Sequence, residues 1–102
     1  MKSYIADYYK GIREGLTIPR GEEAAKENRR IMRERLQTNW ATIQSAGILD
    51  DLTVHSRQEF MGIFCVSGPE EKISALTRFL LENNLGTVVS NEVIVGASKP
   101  LR

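Results

Sequence analysis

Apolar side chains recur every three or four positions over residues 22–46, which is the spacing of an amphipathic helix. Glutamates crowd the first turns of this segment, where the helix dipole favours negative charge, and Gly47 follows it as a stop signal. We therefore predict a long helix over residues 22–46. Its buried stripe is expected to contain Ala25, Met32, Leu36, Trp40 and Ile43.

A second helix is predicted after Ser67, because Pro69 suits a first turn and Ser67 with Glu70 has the spacing of a capping box. The Asn-Asn-Leu-Gly run at residues 83–86 is expected to end it, since Asn and Gly tolerate the left-handed conformation. Its apolar stripe is predicted to consist of Ile73, Leu76, Phe79 and Leu80.

Three later segments have strand composition. Residues 48–56 alternate, with Leu52 and Val54 on one face and His55 on the other, and residues 56–59 read as a polar connection. Residues 60–66 are apolar on both faces, which predicts a central strand. Residues 87–95, rich in Val and Ile, predict a last strand, and residues 97–102 a short tail.

The first twenty residues fit two interpretations. The apolar spacing from Ile5 to Leu16 suits a helix over residues 3–16, but Gly11 and Gly15 would each cost about 1 kcal/mol in a helix interior. The tyrosine-rich opening favours a strand over residues 2–9, followed by a loop to Pro19.

With that strand, the order is βαββαβ, and we predict a single α+β domain over residues 1–102. This order is typical of the ferredoxin-like plait, in which two helices cover one face of a four-stranded antiparallel sheet. A strand that is apolar on both sides would leave a large apolar patch on the uncovered face. We expect a second copy to cover it, giving a sheet-to-sheet homodimer.

Charge and composition narrow the function classes. Fourteen basic and 13 acidic residues give a net charge of +1, which argues against a general binder of nucleic acid or anionic membrane. Cys65 is the only cysteine, no Cys/His cluster is present, and no secretory signal or bilayer-spanning stretch is visible. The expectation is a cytoplasmic protein without a metal or cofactor.

Few residues carry recognisable chemistry. His55 is the only histidine and the acid/base candidate, although a hydrogen-bonded structural histidine is the more ordinary interpretation. Tyr4 and Tyr8 share one face of the predicted first strand and, with Trp40, would line a ligand cleft; core or dimer contacts are equally ordinary. Cys65 is interpreted as a small buried apolar residue.

The long helix also carries a cluster of basic residues. They fit a phosphate or an acidic partner, but glutamates at helical pair spacing favour a solvated, salt-bridged face. The cluster consists of Lys26, Arg29, Arg30 and Arg33.

The layout resembles that of dimeric α+β barrel proteins, the superfamily of muconolactone isomerase and small cofactor-free monooxygenases. The resemblance rests on the tyrosine-rich opening at residues 3–9, the long charged helix ending in Ser45-Ala46-Gly47, and the apolar run at residues 60–66 followed by Ser67-Gly68-Pro69. It implies sheet-mediated dimers that hold a small, often aromatic, molecule between sheet and helices. No catalytic motif of a member matches residue by residue.

Three functions remain open at this stage, and whether the protein is an enzyme is undecided. The first is a homodimer that holds a small, aromatic-type organic ligand. The second is a non-catalytic protein-binding or regulatory module, which would use the sheet face or the basic helix. The third is single-stranded RNA binding through Phe60 and Phe64, which the near-neutral charge makes the least favoured.

Overall fold

The computed structural model describes residues 2–90, which form an α+β fold with two helices and a four-stranded antiparallel sheet. This confirms the predicted class at that level. The strands lie in the order β2-β3-β1-β4. Residues 91–95 of the predicted last strand and the predicted tail lie outside the described residues. The elements are β1 (Ser3–Asp7), α1 (Glu22–Ser45), β2 (Thr53–Gln58), β3 (Ile63–Ser67), α2 (Glu70–Glu82) and β4 (Val88–Ser90).

The first segment is a strand, so the alternative of a helix over residues 3–16 is wrong. β1 lies between two neighbours: Tyr4 pairs with Val66 of β3, and Ile5 pairs with Val89 of β4. A central position gives β1 backbone hydrogen bonds on both edges, which outweighs the helical spacing of its apolar residues.

Both helices cover the same face of the sheet. Ala6, Phe64 and Val66 point to that face and are at most 2% exposed. They share one core cluster with residues of both helices, among them Leu36 and Leu76. The predicted stripe of α2 is confirmed, with Ile73, Leu76 and Leu80 buried and Phe79 packed against the core. In α1, Leu36 and Ile43 are buried and Trp40 packs against the core, whereas Ala25 and Met32 of the predicted stripe are only half-buried and lie outside this cluster.

The start of α2 differs from the prediction. Its N-cap is Pro69, and no side chain caps the helix. The expected capping residue, Ser67, is the last residue of β3 and is hydrogen-bonded to His55 instead. The predicted capping box is therefore wrong, because Ser67 belongs to β3 and does not cap α2.

The β2–β3 hairpin is displaced along the chain relative to the prediction. Residues 59–62 form a turn in which Gly62 has a φ of +66°, so β2 continues to Gln58 and β3 begins only at Ile63. Phe60 and Met61 are 81% and 58% exposed. Their apolar side chains suggested a longer strand, but the left-handed glycine closes a turn at that point.

β4 is attached to β1 through Asp7. The backbone N–H of Asp7 donates to the Thr87 carbonyl at 2.9 Å, and its carboxylate accepts from the Thr87 N–H at 3.1 Å and from the Thr87 hydroxyl at 3.0 Å. Gly86, the residue before Thr87, is buried. It lies so close to β1 that an added Cβ would overlap the backbone and side chain of Asp7. The position therefore requires glycine.

We expect Gly86→Ala to lower the free energy of unfolding by about 3 kcal/mol, because the added methyl group would displace the backbone of a central strand. Gly15→Ala is the matched control. Gly15, unlike Gly86, has a positive φ, of +79°, but an added Cβ there would meet no atom within 4 Å, so only the conformational cost of about 1 kcal/mol applies. Urea denaturation of both variants tests the difference, and equal losses would contradict the close approach.

Candidate functional site

A cavity of about 390 Å³ lies between α1, the loop at residues 10–20 and the β2–β3 turn. A cavity of this size is large enough for a small organic molecule. We call it the arginine-rimmed cavity. Its apolar wall consists of Tyr8, Ile12, Met32, Leu36 and Phe60, and its charged residues are Arg13, Arg29, Arg33, Arg57 and Glu59.

The loop that forms one wall is bound to α1 by side chains. Arg35 donates from Nη1 to the carbonyls of Ile12 and Glu14, at 3.0 and 2.7 Å. Asn28 donates from Nδ2 to the Thr17 carbonyl at 2.9 Å. These bonds satisfy carbonyls in a segment without regular structure, so the cavity wall is held in place.

An aromatic cluster lies beneath the cavity. The Tyr8 ring is 5.4 Å from the Trp40 ring and 6.0 Å from the Phe64 ring, and Trp40 meets Phe64 edge-on at 5.1 Å. Tyr8 and Phe64 are buried and Trp40 is half-buried. Such tilted and edge-on pairs stabilise beyond their buried area, which gives the cavity a rigid floor.

Arg57 is held against this cluster. Its Nη1 donates to the Tyr8 hydroxyl at 3.2 Å, and its Cζ lies 4.7 Å from the centre of the Trp40 ring, a cation–π distance. Its Nη2 is 3.5 Å from Oε1 of Glu59. The guanidinium is therefore oriented by aromatic groups on one side and faces the cavity and one carboxylate on the other.

A β-bulge explains why Arg57 faces the helices. Val54 pairs with Val66, but Ser56 pairs with Cys65 and Arg57 with Phe64, so His55 is the extra residue of the bulge. Simple alternation from Val54 would have placed Arg57 on the opposite face.

The basic cluster of α1 divides into two kinds of arginine. Arg30 donates to Glu27 and also binds Glu34 at 2.7 Å; these contacts raise the pKa of Arg30, and its hydrogen bond lowers the pKa of Glu27. The predicted salt-bridged face is thus present around Arg30. Arg29 and Arg33 instead line the cavity and have no carboxylate at salt-bridge distance within residues 2–90.

The predicted site residues do not all come together. Tyr8 and Trp40 are in contact, and only Tyr8 of the two lines the cavity. Tyr4 is half-buried against the core on the helix-covered face of the sheet, but it does not line the cavity. His55 donates to or accepts from Ser67 Oγ, with Nε2 at 2.7 Å. Ser67 alternates with Val66, so this pair lies on the opposite sheet face. The acid/base role of His55 stays a prediction.

Two further predictions concern a metal site and a membrane-spanning segment. Among residues 2–90, no group of three His, Cys, Asp or Glu residues could hold a metal ion, and neither helix is long and apolar enough to cross a bilayer.

Cys65 is half-buried on the outer face rather than fully buried. Phe60 is exposed in a turn and Phe64 lies in the core, so the two rings do not form the shared stacking surface that the RNA hypothesis requires.

No protein-family model, curated protein or solved structure matches this chain. The resemblance to dimeric α+β barrel proteins therefore stays an expectation from the layout. What can be said of the site depends on its own geometry.

Sequence reasoning identified Tyr8, Arg29 and Arg33. It missed Arg13 and Arg57 as site residues, and it considered Phe60 only for RNA binding. These three residues come from a loop, a turn and the strand segment beyond a bulge, whose orientation depends on backbone geometry that residue patterns do not specify. The available signal for the bulge was weak: the alternation ends at His55, where the chain becomes polar on both faces.

The Tyr8–Arg57 contact predicts a measurable coupling. We expect Tyr8→Phe to lower the free energy of unfolding by about 1 kcal/mol, because it removes the acceptor for Arg57 but retains the ring. A double-mutant cycle with Arg57→Gln should give a coupling energy of about 1 kcal/mol. Additive losses in urea denaturation would show that the two side chains do not support each other.

Proposed function

We propose that this chain is a small-molecule binding protein whose ligand occupies the arginine-rimmed cavity. The observation that carries the proposal is the cavity itself: about 390 Å³, with an apolar wall and a few convergent polar groups, which is the usual constitution of a ligand site. The hydrogen bonds from Arg35 and Asn28 to the loop further support a preformed site, because less ordering then accompanies binding.

We further propose that the scaffold is a ferredoxin-like plait. The element order βαββαβ, the strand order β2-β3-β1-β4 and the location of both helices on one sheet face support this. The cavity lies on the helix side of the sheet, where the resemblance to dimeric α+β barrel proteins leads us to expect a ligand. The proposed function is binding, and it does not depend on a catalytic step at His55.

A larger side chain in the wall of the cavity should weaken ligand binding. We expect naphthoate or its uncharged amide, naphthamide, to bind the wild-type protein with one site per chain and to raise its melting temperature. Met32→Phe should weaken that binding at least about tenfold, because the larger side chain occupies the apolar wall. Isothermal titration calorimetry and thermal shift measure both effects.

Leu81→Phe is the matched control, since Leu81 is a 56% exposed apolar residue on α2 that does not line this cavity. It should bind both compounds as the wild type does. Binding that is unaffected by Met32→Phe would place the ligand elsewhere, and absence of binding by both compounds would count against the proposed function.

A homodimer through the outer sheet face is the second part of the proposal. Ile5, Ile63 and Cys65 are half-buried on this face, and Val89 is 49% exposed. The patch is smaller than the sequence predicted, because Met61, which would have shared this face with Ile63 and Cys65, lies in the turn instead. The apolar and uncharged centre supports a second copy as the partner, since a two-fold axis places equal charges near each other and an uncharged centre avoids that repulsion.

We expect Val89→Lys to shift the protein from dimer to monomer in light scattering coupled to size-exclusion chromatography, because a lysine on the outer face would meet its own copy. Val54→Lys is the matched control: Val54 is 37% exposed but points to the helix side of the sheet. It should leave the dimer intact. A wild-type protein that is monomeric at all accessible concentrations would contradict the dimer.

A further inference from the structure

We infer that the ligand of the arginine-rimmed cavity carries an anionic group on an apolar body, and that Arg29, Arg33 and Arg57 recognise the anion. This inference rests on the proposed function and adds the chemical class of the ligand. The residues around the cavity include four arginines and one glutamate, an excess of three positive charges, whereas the whole chain has a net charge of only +1. The charge is therefore concentrated at this site.

The arginines converge from different elements of the fold. Arg13 lies on the loop, Arg29 and Arg33 on successive turns of α1, and Arg57 on β2. The neighbouring Arg30, in contrast, forms ion pairs with Glu27 and Glu34 on its own helix. Within residues 2–90, Arg13, Arg29 and Arg33 have no such carboxylate. An anion from solution would supply the missing partner.

Arg57 is the inner anchor for that anion. Its side chain is 30% exposed, and the Tyr8 hydroxyl and the Trp40 ring fix its orientation before any ligand arrives. A planar guanidinium held in one orientation suits the paired oxygens of a carboxylate or a phosphate. Preorganisation of this kind reduces the entropic cost of binding.

Glu59 forms an ion pair with Arg57. The two side chains approach to 3.5 Å, and the Glu59 side chain is 57% exposed, so the pair contributes little stability and is readily exchanged. A ligand anion that binds Arg57 displaces Glu59 toward solvent. The rest of the ligand then contacts Ile12, Met32, Leu36 and Phe60, which bring no charge to the wall. Affinity comes from this apolar contact and selectivity from the arginines.

The test compares three probes of similar shape by isothermal titration calorimetry: naphthoate, naphthyl phosphate and the uncharged naphthamide. We expect naphthoate or naphthyl phosphate to bind about tenfold more tightly than naphthamide, and the difference to shrink as salt is added. Whichever of the two anions binds more tightly distinguishes a carboxylate from a phosphate ligand. Equal affinity for all three would overturn the anion recognition but leave the small-molecule site standing.

Substitutions of the charged residues around the cavity test which side chains recognise the anion. Arg33→Gln and Arg29→Gln should each weaken the preferred anion about three- to tenfold and leave naphthamide unchanged, because each removes one charge-assisted contact. Glu59→Gln should strengthen anion binding a few-fold, since it removes the competing carboxylate. Both arginines are exposed on a helix, so these substitutions are expected to preserve the fold, and thermal denaturation checks this.

Arg30→Gln is the matched control: it removes the same charge from the same helix, at a residue that does not line the cavity. It should leave the affinity for all three probes unchanged. A loss equal to that of Arg33→Gln would show that general surface charge attracts the anion and would overturn the site. If no probe binds the wild-type protein, both this inference and the proposed function fail.

Discussion

Tyr8 is the residue through which the sheet, the long helix and the hairpin are joined. It is fully buried. Its backbone N–H donates to the Gly62 carbonyl at 2.7 Å, and its own carbonyl accepts from Asn39 of α1 at 2.7 Å. Its ring contacts Trp40, and its hydroxyl accepts from Arg57. A single residue, through its backbone and its side chain, thus fixes the floor of the cavity and the direction of the guanidinium above it.

Much of the fold follows from periodicity. The apolar stripes of both helices and the strand character of the first residues were predictable, because burial of one face imposes a spacing that residue types reveal. The hairpin was less predictable. A positive φ at Gly62 and an extra residue at His55 are backbone events, and the exposed Phe60 resembles a strand residue by composition. The candidate site was the least predictable part, since Arg13 lies in a loop, Phe60 in a turn, and Arg57 on β2 beyond the bulge.

Net charge and local charge give different information here. The near-neutral chain argues against an extended polyanion as partner, which would need many cationic contacts along one surface. It does not argue against a compact anion, which needs only a few arginines directed at one place. The arginines on α1 illustrate the distinction: Arg30 is neutralised by glutamates on its own helix, while Arg33, one turn away, lines the arginine-rimmed cavity.

The bulge at His55 makes the length of β2 as important as its composition. The extra residue exchanges the faces of the residues that follow it, so that Arg57 comes to lie opposite Phe64 and above Trp40. In a descendant of this chain that lost one residue before position 57, the arginine would move to the outer face and the cavity would lose its inner cation. An insertion or deletion in this strand would therefore remove the inner cation from the cavity without any substitution at the arginine itself.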